Sequence, residues 1–213
     1  KGGPVLILAA VLGVVIVLWT AWFTVQPEET GIVQRFGKVM RTAGPGLHFK
    51  LPFGIETVRL LPTARVLKEE FGFRTVATVP GEKTRYDPSG SFKDESLMLT
   101  GDLNVAIVPW IVQFRVKNPF DYLFKVIDVI RLLRYMSEAS MRLVVGDRSI
   151  NEVISKRDEI AVEARGLLQK ELDQAETGIH IVTIEMKRTN VPGPVQPSFN
   201  EVNQATQEKE QLI

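Results

Sequence analysis

The chain has 213 residues, 26 Lys and Arg against 25 Asp and Glu, two histidines and no cysteine, for a formal net charge of +1. That composition offers no electrostatic case for a nucleic-acid partner, and it excludes disulfides, thiolate nucleophiles, iron–sulfur clusters and Cys-ligated zinc. His48 and His180 are too isolated for a His-rich centre, so neither a metal nor a cofactor is expected.

The charges are unevenly placed: none falls between Gly2 and Pro27. Within that stretch Val5 to Val25 is apolar except for Gly13, Thr20 and Thr24. As a helix it would span about 31 Å, the thickness of a bilayer core, with every internal backbone group satisfied. A transmembrane helix is therefore expected over residues 4–26, anchored by Val5, Leu8, Leu12, Ile16, Trp19, Trp22 and Phe23, the aromatic residues marking the headgroup level. A cleaved signal peptide would show a shorter apolar region and a small-residue cleavage site. Lys1 before the span and Glu28–Glu29 after it favour an inside N-terminus, yet Arg35, Lys38 and Arg41 follow closely, so charge leaves the topology open.

Residues 27–100 read as a strand-rich subdomain. Gly44-Pro45-Gly46 is a turn signal, after which Leu47, Phe49, Leu51, Phe53 and Ile55 alternate with His48, Lys50, Pro52 and Gly54. Pro52 makes this an edge or irregular strand. Its apolar face either packs on the domain core or rests on the membrane surface, Leu47, Phe49, Leu51 and Phe53 being the contact residues in the second reading. Residues 78–96, with Pro80-Gly81 and Asp87-Pro88-Ser89-Gly90, predict a surface loop.

Residues 101–192 form a second subdomain. A hairpin corner at Leu97–Asn104 leads into a long strand whose one face, Ala106, Val108, Trp110, Val112, Phe114 and Val116, is wholly apolar. On the other face Ile107, Pro109 and Ile111 are apolar as well, so this half is covered either by the same domain or by a neighbouring subunit, Pro109 arguing for an edge or bulge. From Asn118-Pro119 the period becomes helical, with an apolar stripe Val129, Leu132/Leu133, Met136, Ala139/Ser140, Leu143 and a charged row Arg134, Glu138, Arg142 read as a solvated face. Ser149–Glu152 resembles a capping box, and Ile160, Ala164, Leu167/Leu168 and Leu172 predict a further helix closed by Gly178. His180 then lies on a strand surface. Residues 193–213, after the proline-rich Val191–Pro197, predict the start of a long polar helix of coiled-coil type, with Phe199 and Val202 on an association face.

No Gly-rich phosphate loop, nucleophile elbow or His-Glu-x-x-His helix is present. Glu69/Glu70 and Asp94/Glu95 are sequence neighbours and so point in different directions on a strand. A hydrolase using Ser or Thr with Lys is the least excluded enzyme class.

In their order, the apolar segment, Arg35-Phe36-Gly37-Lys38, Pro45-Gly46-Leu47-His48-Phe49 with Pro52, Leu99-Thr100-Gly101-Asp102 with Asn104, and Val112-Gln113-Phe114-Arg115-Val116 with Asn118-Pro119 resemble the stomatin/prohibitin/flotillin/HflK-HflC (SPFH, band 7) superfamily, and within it the bacterial HflK branch. The resemblance covers residues 5–213; the 78–96 loop is longer and the segment from Pro192 to Pro197 richer in proline than the family pattern. It implies an α+β fold: an N-terminal transmembrane helix, an SPFH domain of mixed strands and helices, and the start of a long C-terminal helix. It further implies a non-enzymatic scaffold in the bacterial inner membrane, single-pass, with a cytoplasmic N-terminus and a periplasmic SPFH domain. The implied partners are an HflC-like paralogue in a large oligomeric ring or cage, an enclosed FtsH-like AAA protease under its regulation, and membrane lipid organised as a microdomain. A stomatin- or prohibitin-like scaffold serving another membrane protease, and a membrane-anchored hydrolase, are the alternatives.

Overall fold

The computed structural model describes residues 13, 19–77, 85–86, 92–193 and 196–211. Along the chain run β1 (Trp22–Val25), β2 (Glu29–Arg35), β3 (Lys38–Ala43), β4 (Gly46–Phe49), β5 (Glu56–Pro62), β6 (Leu67–Phe71), β7 (Thr75–Ala77), β8 (Arg85–Tyr86), α1 (Lys93–Ser96), β9 (Leu97–Leu99), β10 (Val105–Ile107), β11 (Trp110–Val116), α2 (Pro119–Phe124), α3 (Val129–Gly146), α4 (Ile150–Ser155), α5 (Arg157–Gln174), β12 (Ile179–Met186) and α6 (Gln196–Gln211). They group into two compact units that interleave in sequence: unit 1 holds residues 1–66, 115–127 and 176–180, and unit 2 holds 67–114, 128–175 and 181–213.

In unit 1, β2 is the centre of an antiparallel sheet ordered β3-β2-β5. Its register places Arg35 opposite both Lys38 and Glu56, and Glu29 opposite Pro62. A separate antiparallel ladder joins β1 to β4, Trp22 facing Phe49 and Val25 facing Gly46. Val25, Val33 and Ala43 are buried together, with Phe23 and Val58 against them.

These pairings correct the expected helix over residues 4–26 at its far end. Trp19 and Thr20 are helical, but Trp22 and Phe23 belong to β1. The Trp22-Phe23-Thr24-Val25 run is aromatic and β-branched, which favours a pleated ladder, and Val25 is drawn into the core. Val5, Leu8, Leu12 and Ile16 lie outside the described residues. Among the described residues no helix is long and apolar enough to cross a membrane.

In unit 2 the sheet order is β12-β11-β6. β11 is its central strand, not an edge, because Pro109 sits in the break between β10 and β11, where no ladder donor is needed. Ala106, Val108, Trp110, Val112 and Phe114 are buried as the alternation predicts. Phe71 of β6 stacks on Trp110 with ring centroids 4.5 Å apart, and the indole Nε1–H donates to Ser137 Oγ at 3.0 Å.

That bond turns α3 by one residue from the expected stripe: the buried set is Val129, Leu133, Ser137, Ser140, Met141, Val144 and Val145, and Leu143 is left exposed. The helical stretch after Asn118 is also two helices. Asn118 Oδ1 accepts from Phe120 N at 3.0 Å to cap α2, and Asp128 Oδ1 accepts from Arg131 N at 3.0 Å to start α3 afresh. The capping box at Ser149 and Glu152 is present. Beyond α5, Glu176 rather than Gly178 takes the left-handed conformation next to the helix. Gly178 serves a different need in unit 1: its carbonyl accepts from Lys117 N and Asn118 N, at 2.8 and 3.0 Å, and a Cβ there would collide with the Asn118 carbonyl. The expected loop at 78–96 contains β8, which pairs with β7, and ends in the one-turn α1.

Candidate functional site

The alternating run Leu47–Ile55 is a strand only as far as Phe49; residues 52–55 form a turn that reverses into β5. Its apolar side chains do not enter a core. Leu47 is 54% exposed, Phe49 69%, Leu51 41% and Phe53 76%. Sequence reasoning missed a partner for them. Phe36, in the two-residue β2–β3 turn, is 83% exposed. Both Phe36 and Phe53 have left-handed backbones (φ 48° and 59°), and each precedes a glycine of positive φ. Asn or Asp would suit such turns better, since a bulky side chain there costs about 1 kcal/mol or more. The two turns are neighbours: Phe36 N donates to Ile55 O at 3.2 Å. Two phenylalanines are thus held at one end of unit 1 against both backbone preference and hydrophobicity.

A buried carboxylate braces this end. Glu56 accepts Leu51 N–H at 3.0 Å and Arg35 Nη2 at 3.0 Å, with Arg41 at 3.8 Å. The Leu51 amide, and after it Arg35, hold the Glu56 carboxyl below the ordinary carboxylate range despite burial. Arg41 also donates to Phe49 O, tying β3 to the end of β4. His48 points away from the apolar face, its ring stacked on Phe23 with centroids 5.6 Å apart.

Two further regions singled out in sequence are held by hydrogen bonds within unit 2. Around the Thr100–Asn104 turn, Asp102 accepts Ile150 N–H at 3.1 Å and thereby caps α4, while Gly101 N donates to Arg148 O at 2.8 Å. Burial raises the Asp102 pKa, but the Thr100 hydroxyl and the Ile150 amide outweigh it, leaving the group below its ordinary value. Ile107 and Ile111 are half-buried. Their backbones are paired within unit 2: Ile107 N donates to Asn190 O at 2.8 Å, Pro109 O accepts from Lys187 N at 2.8 Å, and Ile111 faces Glu70. Phe199 and Val202 fall within α6; their side chains lie outside the described set.

The charged row on α3 is not solvated throughout, and one member of each acidic pair meets it. Arg134 donates to Glu69 Oε2 at 2.9 Å and Glu95 Oε1 at 2.8 Å, its guanidinium lying 4.6 Å from the centroid of Phe71. Arg74 also reaches Glu95 Oε1 at 2.9 Å. Glu69 and Glu95 each face a guanidinium and Glu70 accepts from Lys68 and Thr75, which suits a structural bracket. Among the described residues no group of three His, Cys, Asp or Glu could hold a metal ion. His180 is an exposed strand residue.

Residues 23–213 match the SPFH domain / Band 7 family. The HflK protein of Treponema pallidum is 36% identical over 210 residues, covering 97% of this chain and 62% of that protein. HflK of Borreliella burgdorferi is 33% identical over 193 residues, covering 90% of the chain and 60% of that protein. The Escherichia coli K12 protein named modulator of FtsH protease HflK is 26% identical over 222 residues, with 100% of the chain and 45% of that protein covered. The chain therefore spans 45% to 62% of the length of these relatives. With the family pattern matched across both units, the chain belongs to the SPFH domain / Band 7 family.

Proposed function

We propose that this chain is the membrane-proximal part of a non-catalytic scaffold subunit, anchored in the bacterial inner membrane by its N-terminal apolar segment, whose unit 1 rests on the bilayer surface. The observation that carries the reading is the exposed apolar end of unit 1, with Phe36 and Phe53 displayed on left-handed turns and Trp22 opposite Phe49. Because β1 begins at Trp22, the apolar run available for a span is Val5 to Ala21, about 26 Å as a helix and at the short end of what a bilayer needs. A segment that short ends close to the interface, which brings β1 and β4 down to headgroup level.

The likeness to HflK proteins, one of them named a modulator of FtsH protease, supports assembly with an HflC-like paralogue into a ring or cage enclosing an FtsH-like AAA protease, with a cytoplasmic N-terminus and unit 1 in the periplasm. Lateral contacts would use the half-buried side chains of Ile107 and Ile111, beside Pro109, and the α6 residues Phe199 and Val202. Changing both isoleucines to Glu should then reduce the mass of the detergent-extracted complex, and unchanged mass would refute that contact.

The surface reading is tested by vesicle flotation of residues 19–213, which keep the whole of β1. Binding should persist without the apolar segment and be lost in Phe53→Asp, since burying one phenylalanine contributes about 1.5–3 kcal/mol. Asp suits the left-handed turn better than Phe, so this variant keeps its fold. Equal flotation of both proteins would overturn the reading.

A further inference from the structure

Charge in unit 1 is uneven along β2. At the far end, Glu28 and Glu29 lie beside Pro62 and Thr63, with Arg65 paired to Glu28 at 3.1 Å. At the apolar end stand Arg35, Lys38, Arg41 and Lys50, with Glu56 as the acidic residue among them. Glu56 is buried and already shared by Arg35 and Arg41, so one carboxylate faces two guanidinia. Arg35 and Arg41 keep 42% and 49% of their side-chain surface exposed, Lys38 is exposed, and Lys50 is half-buried beside Phe49. Arg35, Arg41, Lys50 and Glu56 line one shallow cleft walled by Met40 and Phe49. An apolar rim backed by an excess of cations matches one chemistry: acyl chains under negatively charged headgroups.

Building on the membrane-surface reading above, we infer that this end of unit 1 selects anionic phospholipid, its phosphate groups paired with Lys38, Lys50 and the exposed faces of Arg35 and Arg41. Glu56 sets the geometry. It bonds Arg35 and lies 3.8 Å from Arg41, which donates to Phe49 O; both guanidinia are thereby restrained, so less conformational entropy is lost when a headgroup arrives. The phenylalanines supply depth and the cations supply composition.

The test uses the full chain reconstituted in vesicles of equal phosphatidylcholine and phosphatidylglycerol, in which either lipid alone carries brominated acyl chains that quench tryptophan. Trp22, paired with Phe49, is the native reporter; Trp19→Phe removes the nearer competitor, and Trp110 is buried in unit 2. Brominated phosphatidylglycerol should quench Trp22 more strongly than brominated phosphatidylcholine. The preference should fall by about fivefold for each lysine removed in Lys38→Gln and Lys50→Gln, which leave the Glu56 bracket intact, and should shrink in 1 M salt. Equal quenching by the two lipids would overturn the selection while leaving surface contact standing. Absence of Trp22 quenching by either would overturn the contact itself. If glycerol phosphate in solution abolished the preference at unchanged total quenching, the cleft would be a soluble-phosphate site, and the assignment to bilayer lipid would fail.

Discussion

Arg134 offers the sharpest check on how unit 2 is held together. In Arg134→Met the side-chain volume is largely kept, but Glu69 and Glu95 lose the guanidinium that separates them, and Phe71 loses the cation on its face. Removing one partner of a fully buried pair costs about 3–5 kcal/mol. Glu69 and Glu95 are 26% and 23% exposed, and Glu95 retains Arg74, so screening reduces the figure to about 2–3 kcal/mol with the ring contact included. For a unit of this size that lowers Tm by about 6–15 °C. Urea unfolding followed by the fluorescence of buried Trp110 reads the change. Adding Glu69→Gln should restore about 1 kcal/mol, because Glu95, which keeps Arg74, then no longer faces an unpaired like charge. A shift below about 2 °C, with no coupling between the two positions, would mean that Arg134 behaves as an ordinary solvated helix residue and would refute the bracket.

Three further outcomes are expected. Glu56 has a folded pKa below its ordinary 4.5, so its stabilisation is complete at neutral pH and is lost as the pH falls from about 4.5 through the folded value; Glu56→Gln should remove that part of the acid limb in a circular-dichroism titration. Gly101→Ala puts a Cβ 2.7 Å from Gly146 O and 3.4 Å from Arg148 O, and should destabilise unit 2 by about 1–3 kcal/mol in urea, whereas Gly44→Ala, with open space around it, should not. Gly178→Ala meets both a positive φ of 68° and the Asn118 carbonyl, and should lower Tm by more than Gly101→Ala does.

What the sequence made legible were features with a short period or a local chemical signature. The apolar face from Ala106 to Phe114, the Asn118 and Ser149 caps and the hairpin at residues 97–107 depend on neighbours within a few residues, and all are found. The errors lie where a distant partner decided. The α3 stripe turned by one residue because Trp110 requires Ser137, a hydrogen bond that hydropathy does not register. Glu69 and Glu95 lie far apart in sequence, yet a sheet strand and a one-turn helix deliver them to the same guanidinium. Trp22 and Phe23 continued an apolar run and so read as helix, until pairing with β4 claimed them. At the candidate surface, alternation groups Leu47 to Phe53 but not Phe36, because nothing in sequence brings the two Phe-Gly turns together; the β2–β5 register does.

The Asp102 cap also bears on how unit 2 opens. Its carboxylate belongs to the β9–β10 hairpin, while the amide it accepts belongs to the first turn of α4. The hairpin cannot slip by a residue without freeing the first amide of that helix, and the helix cannot fray from its start without taking a hydrogen bond from the Asp102 carboxylate. Two elements separated by the whole of α3 therefore share one opening event. In native-state hydrogen exchange the Ile150 amide should report on the hairpin as much as on its own helix, and the ladder amides of β9 and β10 should become exchangeable with it as a single cooperative unit.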